Sequence, residues 1–161
     1  CDSNHIQGSV NALIKLGLFL GDDLVSVMSF GGLRKSLGSV GEEGTYEMLR
    51  FCSLKNTRVI GSASKLFKYF IKKYGPKKII SFSDNRYFNG NTYINLGFSF
   101  VSNTNPNYYY ITDYLKRENR FKYRKDILVK QGYDKNKSES QIMEGRGIPK
   151  IWDCGNKKWV C

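Results

Sequence analysis

The part of this sequence that most restricts its fold is a strand, a turn and a helix in direct succession between Met48 and Ile71. Residues 48–52 are predicted as a strand, and the polar residues 55–57 form a turn. In the helix that follows, apolar side chains recur at the spacing of one helical face while lysines fall mostly on the other. The apolar positions are Leu66, Phe67, Phe70, Ile71 and Tyr74. This helix should therefore pack on a sheet and hold the preceding turn in place.

That turn, residues 58–64, has the chemistry of a phosphate site. The first N–H groups of a helix have no helical partner and lie at the positive end of the helix dipole. Gly61 and Ala63 let a ligand approach the backbone closely. The turn is predicted to hold a phosphate group, and the alternative is an ordinary connection between a strand and a helix.

Two motifs resemble those of the GNAT acyltransferases. Arg58-Val-Ile-Gly61-Ser-Ala63 is similar to the pyrophosphate loop of that family, Q/R-x-x-G-x-G/A, with alanine at the last position. Asn91-Thr-Tyr93-Ile-Asn-Leu-Gly97-Phe98 resembles a second signature, N-x-Y-x-x-x-G-F, in which a short helix carries a tyrosine. Residues 77–84, between the motifs, are predicted as a buried strand. The resemblance implies an α/β fold with a GNAT-like mixed, mostly antiparallel sheet flanked by helices.

The resemblance also implies a cofactor, acetyl-CoA or another acyl-CoA. The turn would hold its pyrophosphate, and the strand ending at Cys52 would lie beside its pantetheine arm, near the thioester. The residues implied to bind it are Phe51, Cys52, Arg58, Val59, Ile60, Gly61, Ser62, Ala63, Ser64 and Asn91. For Cys52, the alternative is a small buried apolar residue.

The catalytic assignment depends on two proton transfers. The resemblance gives Tyr93 the role of protonating the leaving thiolate, and the alternative for Tyr93 is a packing aromatic. An amine acceptor must also lose a proton, which could pass to a base directly or through water. The candidate bases are Glu47, Asp84 and His5. Asp84, at a strand end before Tyr93, is the preferred base, and His5 has the alternative of a structural hydrogen bonder.

A wider resemblance covers nearly the whole chain. Its segments are Asn4-His5-Ile-Gln-Gly8, Arg50-Phe51-Cys52, Ser81-Phe-Ser-Asp84-Asn-Arg86, Tyr108-Tyr-Tyr110, Tyr133-Asp134 and Ile151-Trp-Asp153-Cys-Gly155-Asn. They are similar to the C-terminal part of phage-encoded homing-endonuclease-like proteins, whose GNAT-like part resembles the Mom type of DNA modification protein. Mom-type proteins have an aspartate in a place similar to that of Asp84, which is the reason for preferring Asp84 as the base. This implies a phage-encoded protein that acts on DNA in the bacterial cytoplasm. An upstream nuclease domain, and the first strand and helix of the fold, are expected before Cys1.

The net charge of +12 favours a polyanionic partner, of which nucleic acid is the commonest. In the densest basic run, between Lys116 and Lys125, aromatic residues alternate with cations that could meet phosphates while the rings stack on bases. The alternatives are a soluble basic surface and a solvated helix face with Phe121 turned into the core. The predicted DNA contacts are Arg34, Lys35, Arg86, Lys116, Arg117, Arg120, Lys122, Arg124 and Lys125.

The 161 residues are predicted to form an acyl-CoA-binding core over residues 1–112 and a basic helical and hairpin extension over residues 113–161. A hairpin is expected around Gly21-Asp22-Asp23, and a last hairpin over residues 150–160. The four cysteines lack the spacing of a metal site, and no apolar run is long enough to cross a membrane.

The predicted function is that of an acyl-CoA-dependent N-acyltransferase of GNAT type acting on DNA bases. Two alternatives keep the fold. One is a non-catalytic module that targets a nuclease to DNA, and the other is a GNAT enzyme that acetylates a protein or a small molecule.

Overall fold

The structure, a computed structural model, describes residues 1–32, 42–114 and 116–161, and the chain divides into two compact units. Unit 1 comprises residues 1–103 and 156–161, and unit 2 comprises residues 104–155. Arg34 and Lys35, two of the predicted DNA contacts, lie outside the described residues.

Unit 1 is built on a six-stranded sheet with the strand order β1-β2-β3-β4-β9-β5. Its strands are β1 (Ile14–Leu20), β2 (Asp23–Gly32), β3 (Thr45–Ser53), β4 (Lys78–Asp84), β5 (Ser99–Asn103) and β9 (Asn156–Val160). The β3–β4 pair is parallel and the other four pairs are antiparallel. The predicted fold class, a mixed and mostly antiparallel sheet with flanking helices, is therefore confirmed, as is the hairpin of β1 and β2.

The described residues of unit 1 form two helices, α1 (Ser62–Tyr74) and α2 (Asn91–Asn95). Helix α1 buries Leu66, Phe67 and Phe70, and the Phe70 ring stacks on Phe30 of β2 with 3.5 Å between centroids. Each such side chain contributes roughly 1.5–3 kcal/mol when fully buried, so the helix is held firmly on the sheet. The prediction that Ile71 joins this face is wrong, since Ile71 is 41% exposed. It lies about 100° around the helix from Phe70, at the margin of the apolar stripe.

Unit 2 contains a three-stranded antiparallel sheet of order β7-β6-β8. Its elements are β6 (Tyr108–Asp113), β7 (Lys116–Asn119), a 3-10 helix (Arg120–Tyr123), α3 (Lys125–Lys130), α4 (Glu139–Gly145) and β8 (Lys150–Trp152). The core joins Tyr110 of β6 to Leu128 of α3 and to Ile142 and Met143 of α4. Helix α4 begins with the capping box of Ser138 and Gln141.

The last two strands do not form the hairpin predicted for residues 150–160. Strand β8 pairs with β6 in unit 2, whereas β9 pairs with both β4 and β5 in unit 1. Trp159 of β9 is 3% exposed in the core of unit 1, and Trp152 of β8 is 57% exposed. The units divide at 103/104 and 155/156, between strands that pair in different sheets, whereas the predicted 112/113 boundary lies inside β6.

Candidate active site

The candidate site is a cleft at the centre of the unit 1 sheet, where two parallel strands separate. Strands β3 and β4 pair from Thr45 and Lys78 to Met48 and Ser81, and within the described residues no further pair joins them. Beyond that point β3 continues along β2, while β4 continues along β9. A cleft of about 120 Å³ lies where the two strands diverge. Backbone groups along the diverging edges can therefore hydrogen-bond to an inserted ligand.

Three of the four predicted catalytic residues line this cleft, namely His5, Asp84 and Tyr93. The fourth, Glu47, is buried on β3 at 3% exposure and is not part of the described lining. The remaining lining residues are Gln7, Met48, Leu49, Arg50, Phe51, Phe82, Ser83, Phe88 and Thr92.

The Tyr93 hydroxyl lies where β3 and β4 part. It donates to the carbonyl oxygen of Phe82 at 3.2 Å, and it lies 3.2 Å from the Ser81 hydroxyl. Ser81 is also 2.8 Å from the carbonyl oxygen of Met48, so its single proton serves one acceptor at a time. Burial raises the pKa of Tyr93 above the usual 10.0, against smaller opposing effects of Ser81 and Arg50. The phenol therefore keeps its proton at neutral pH, as a general acid must.

The position of Tyr93 depends on a close contact between α2 and β9. The Tyr93 ring stacks on Trp159 with 5.3 Å between centroids and 5° between planes. Gly90, just before α2, has φ +98°, and a Cβ there would lie 2.1 Å from the Trp159 ring. The indole N–H of Trp159 donates to Ser83 at 2.8 Å. Gly90 and Trp159 thus fix the tyrosine, and neither belonged to the predicted site.

His5 is brought to the cleft by the segment before β1, which is tied to β3 and the following turn. The Asn4 side-chain oxygen accepts from the Lys55 N–H at 2.7 Å, and Arg50 Nε donates to the carbonyl oxygen of Gly8 at 3.2 Å. His5 Nδ1 accepts from the Gln7 N–H at 3.1 Å. Burial, followed by the charge of Arg50, lowers the pKa of His5 below its usual 6.5.

These contacts make His5 a neutral hydrogen-bond donor and leave Asp84 as the better base. Because Nδ1 is already an acceptor, the proton of neutral His5 lies on Nε2, and no lone pair remains to accept another. Asp84 ends β4, and its Oδ1 accepts from the Arg86 N–H at 2.8 Å. The carboxylate retains further acceptor sites in the cleft.

The predicted phosphate turn ends at the start of α1, and its geometry is open. Gly61 adopts φ +75°, and a Cβ added there would meet nothing within 4 Å. No side chain caps the helix, and its first turn has no acidic residue. Ser62 is turned inward, where its hydroxyl donates to the carbonyl oxygen of Val59 at 2.9 Å. Arg58 and Ile60 are exposed.

The other predicted cofactor residues have different surroundings. Phe51 lines the cleft, but Cys52 does not, and its sulfur lies 3.8 Å from the sulfur of Cys1. Asn91 is the exposed first residue of α2. The cofactor roles of these residues remain predictions.

The basic run of unit 2 is a strand followed by a 3-10 helix. Phe121 is 45% exposed, so the alternative that placed it in the core of a helix face is wrong. Glu118 forms ion pairs with both Lys116 and Lys122, at 3.4 and 3.3 Å. These two lysines are therefore partly neutralised within the unit.

The arginines of the run lie on aromatic rings. The distances from guanidinium to ring centroid are 5.2 Å for Arg117 over Tyr109, 4.7 Å for Arg120 over Tyr108 and 6.0 Å for Arg124 over Phe121. In unit 1, Arg86 lies 5.3 Å over Tyr87. Lys125 is exposed at the start of α3.

Two further features can be stated for the described part of the chain. It contains no cluster of His, Cys, Asp and Glu side chains that could hold a metal ion. None of its helices has the length and apolar character needed to span a bilayer.

No protein-family model matches the sequence, and no curated protein matches it. Among solved structures, the chain is similar to an acetyltransferase of Bacillus subtilis in complex with CoA. The two are 15% identical with a TM-score of 0.46, and the match covers 88% of this chain and 71% of that one.

Proposed function

We propose that this protein is an acyl-CoA-dependent N-acyltransferase of GNAT type, with amines of DNA bases as its acceptors. The observation that carries the proposal is the cleft between β3 and β4, which contains a protonated phenol at Tyr93 and a carboxylate at Asp84. An acyl transfer to an amine needs one group that gives a proton and one that takes a proton.

The described residues fit such a cofactor in two places. The open, uncapped start of α1 offers N–H groups to a pyrophosphate. Gly61 has no side chain that would keep the pyrophosphate from the backbone, and the space beside it is empty. The diverging edges of β3 and β4 offer backbone hydrogen bonds to the amides of a pantetheine arm.

A bound acyl-CoA supplies an activated thioester, whose C–S bond breaks as the new C–N bond forms. Asp84 takes the proton that the attacking amine loses, and Tyr93 gives the phenolic proton to the departing sulfur. Tyr93 is then reprotonated from solvent or by Asp84. The Nε2–H of His5 would hydrogen-bond the carbonyl oxygen of a bound thioester and help to orient it.

DNA as the acceptor is supported by the net charge of +12 and by the arginines and exposed rings of unit 2. The relation to Mom-type proteins, the phage origin, the cytoplasmic location and an upstream nuclease domain remain predictions from the resemblance.

The cofactor site is tested by thermal shift with acetyl-CoA. The parent should melt at a higher temperature with saturating acetyl-CoA, and Gly61→Glu should abolish this shift by placing a carboxylate at the pyrophosphate site. Gly21→Glu is the matched control, because Gly21 has a similar φ of +60° and equally open space. No shift for the parent, or equal shifts for parent and Gly61→Glu, would refute the site.

The reaction is tested by incubating the protein with acetyl-CoA and DNA, digesting the DNA, and analysing the nucleosides by mass spectrometry. Acetylated nucleosides are expected with the parent and should be absent after heat denaturation. A shift with acetyl-CoA but no modified nucleoside would remove DNA as the acceptor and favour a protein or small-molecule amine.

The alternative of a non-catalytic DNA-targeting module is favoured by the cations and rings of unit 2, which need no cofactor. Salt-dependent DNA binding without any response to acetyl-CoA would establish that alternative.

A further inference from the structure

An exposed tryptophan in unit 2 is held from one side by a tyrosine. Trp152 of β8 and Tyr108 of β6 are cross-strand partners, with 4.9 Å between ring centroids and 59° between planes. The indole is nevertheless 57% exposed, and it lies outside the unit 2 core of Tyr110, Leu128, Ile142 and Met143. A large aromatic that is fixed by a neighbour yet open to solvent suits a stacking contact.

Two cations approach the same tyrosine. The Arg120 guanidinium and the Lys150 ammonium each lie 4.7 Å from the centroid of the Tyr108 ring. Within the described residues neither is in an ion pair, in contrast to Lys116 and Lys122. Lys150 also donates to the Ser140 hydroxyl.

One donor in this group is unsatisfied. Arg120 Nε is buried and has no hydrogen-bond partner within the described residues, so an external anion would meet the guanidinium through its terminal N–H groups. The Glu139 carboxylate contacts the same tyrosine, since its Oε1 accepts from the hydroxyls of Tyr108 and Tyr110 at 2.8 and 2.9 Å. Within the described residues Glu139 forms no ion pair with Arg120 or Lys150, so both cations remain available to an external anion.

We propose that Trp152, Tyr108, Arg120 and Lys150, here called the Trp152 cluster, bind a nucleotide of single-stranded nucleic acid. The base stacks on the indole of Trp152, and a phosphate oxygen meets Arg120 and Lys150. Stacking on an exposed ring requires a base whose face is open, which duplex DNA does not offer. The inference rests on the proposed nucleic-acid partner but not on acyl transfer, because the cluster needs no cofactor.

The first test measures binding of a labelled single strand by anisotropy, with the full chain and without acyl-CoA. Trp152→Ala should weaken binding by about 10- to 100-fold, the usual range for loss of one stacked base, while Trp152→Phe should retain most of it. Tyr69→Ala is the matched control, since Tyr69 is 51% exposed on α1 and also has a lysine, Lys73, over its ring at 5.6 Å. The duplex of the same sequence should bind more weakly than the single strand.

The second test measures the salt dependence of the same binding. Arg120→Gln and Lys150→Gln should each reduce the slope of log affinity against log salt by somewhat less than one, the value for one single-strand phosphate contact. Lys122→Gln should change the slope less, because Glu118 already pairs with Lys122.

A third readout uses the two tryptophans of the chain. Trp159 is buried, so single strands should quench the emission of the exposed Trp152 and lose this effect in Trp152→Phe. Parent-like affinity of Trp152→Ala, or tighter binding of duplex than single strand, would overturn the proposal. Equal, Trp152-dependent binding of a poly-glutamate peptide would assign the cluster to acidic proteins. Acetylated nucleosides together with parent-like single-strand affinity of Trp152→Ala would refute the cluster and leave the proposed function standing.

Discussion

Burial raises the pKa of both the half-buried Tyr93 of unit 1 and the fully buried Tyr110 of unit 2, yet their hydroxyl groups have different surroundings. The Tyr93 hydroxyl contacts the neutral groups of Ser81 and Phe82 at the edge of a cleft. The Tyr110 hydroxyl donates to the Glu139 carboxylate within a core where Tyr110 is 0% exposed. A proton can leave the first hydroxyl toward a ligand, whereas the second is held in a closed structural contact. Burial alone therefore does not identify a catalytic tyrosine.

The largest expected effect is on turnover. Tyr93→Phe should keep the fold and acyl-CoA binding but lower turnover by roughly 10²–10⁴-fold, because only the proton donor is lost. Tyr110→Phe should leave turnover within a few-fold of the parent. Rates at saturating acetyl-CoA decide between them, and thermal melts check both folds. Parent-like turnover of Tyr93→Phe would reduce Tyr93 to a packing residue.

The second effect concerns the support of Tyr93. Gly90→Ala should destabilise the protein by about 2–4 kcal/mol, through the collision with Trp159 and a strained positive φ. Gly97→Ala is the control, since φ is +87° there and nothing lies within 4 Å of its Cβ position. Urea unfolding monitored by tryptophan fluorescence measures both variants. If both variants lose the same free energy of unfolding, backbone strain and not the α2–β9 contact accounts for the loss in Gly90→Ala.

The third effect is alkaline sensitivity, which should be stronger in unit 2. Burial is the main cause of the raised pKa of Tyr108 and of Tyr110, and the carboxylate of Glu139 raises the pKa of both further. For Tyr123, the main cause of the raised pKa is its hydrogen bond to the carboxylate of Glu118. A raised folded pKa contributes stability that is complete below the unfolded value near 10 and is lost as the pH rises through the folded value. One such proton gives a slope of about 1.4 kcal/mol per pH unit between the two values.

Urea unfolding between pH 8 and pH 11 measures this slope. Tyr110→Phe should flatten it more than Tyr93→Phe, because no carboxylate contacts the Tyr93 hydroxyl. The reverse order would place the more strongly perturbed tyrosine in unit 1.

The smallest effect comes from the acceptor in unit 2. Glu139→Gln should cost about 1 kcal/mol at neutral pH, since it keeps an oxygen for the two tyrosines but removes the charge that strengthens their hydrogen bonds. It should also reduce the alkaline slope without changing acetyl-CoA binding. Altered turnover in this variant would contradict the separation of the two tyrosine roles.

Local signals were enough to predict helix α1 and the glycine turn before it, whereas the short helix α2 was expected from the resemblance of its N-x-Y segment. The structure has all three. Ile71 was misplaced because a stripe of apolar residues does not show where the covering sheet ends. The cluster of lysines around Glu118 shows likewise that a basic run can be partly neutralised from within.

The cleft itself could not be predicted, because it results from pairing between distant strands. Nothing in β3 or β4 alone shows that their pairing stops at Met48 and Ser81. The contact of Trp159 with Tyr93 joins residues that no local pattern connects. The hairpin predicted for residues 150–160 was wrong for the same reason. Strands β8 and β9 are both present, but each pairs with strands that are distant in the sequence.

The pairing of β5 with β9 makes the two ends of unit 2 neighbours. Asn103 and Lys157 are cross-strand partners, so residues 104–155 occupy the place of a hairpin loop in the unit 1 sheet. The entropy of closing a loop grows only slowly with its length, by about 0.6 kcal/mol per doubling. A short turn could therefore replace unit 2 while the Tyr93 cleft remains intact, and another binding module could be grafted at the same junction. Unit 2 is in this sense an insert whose exchange leaves the strand order of the unit 1 sheet unchanged.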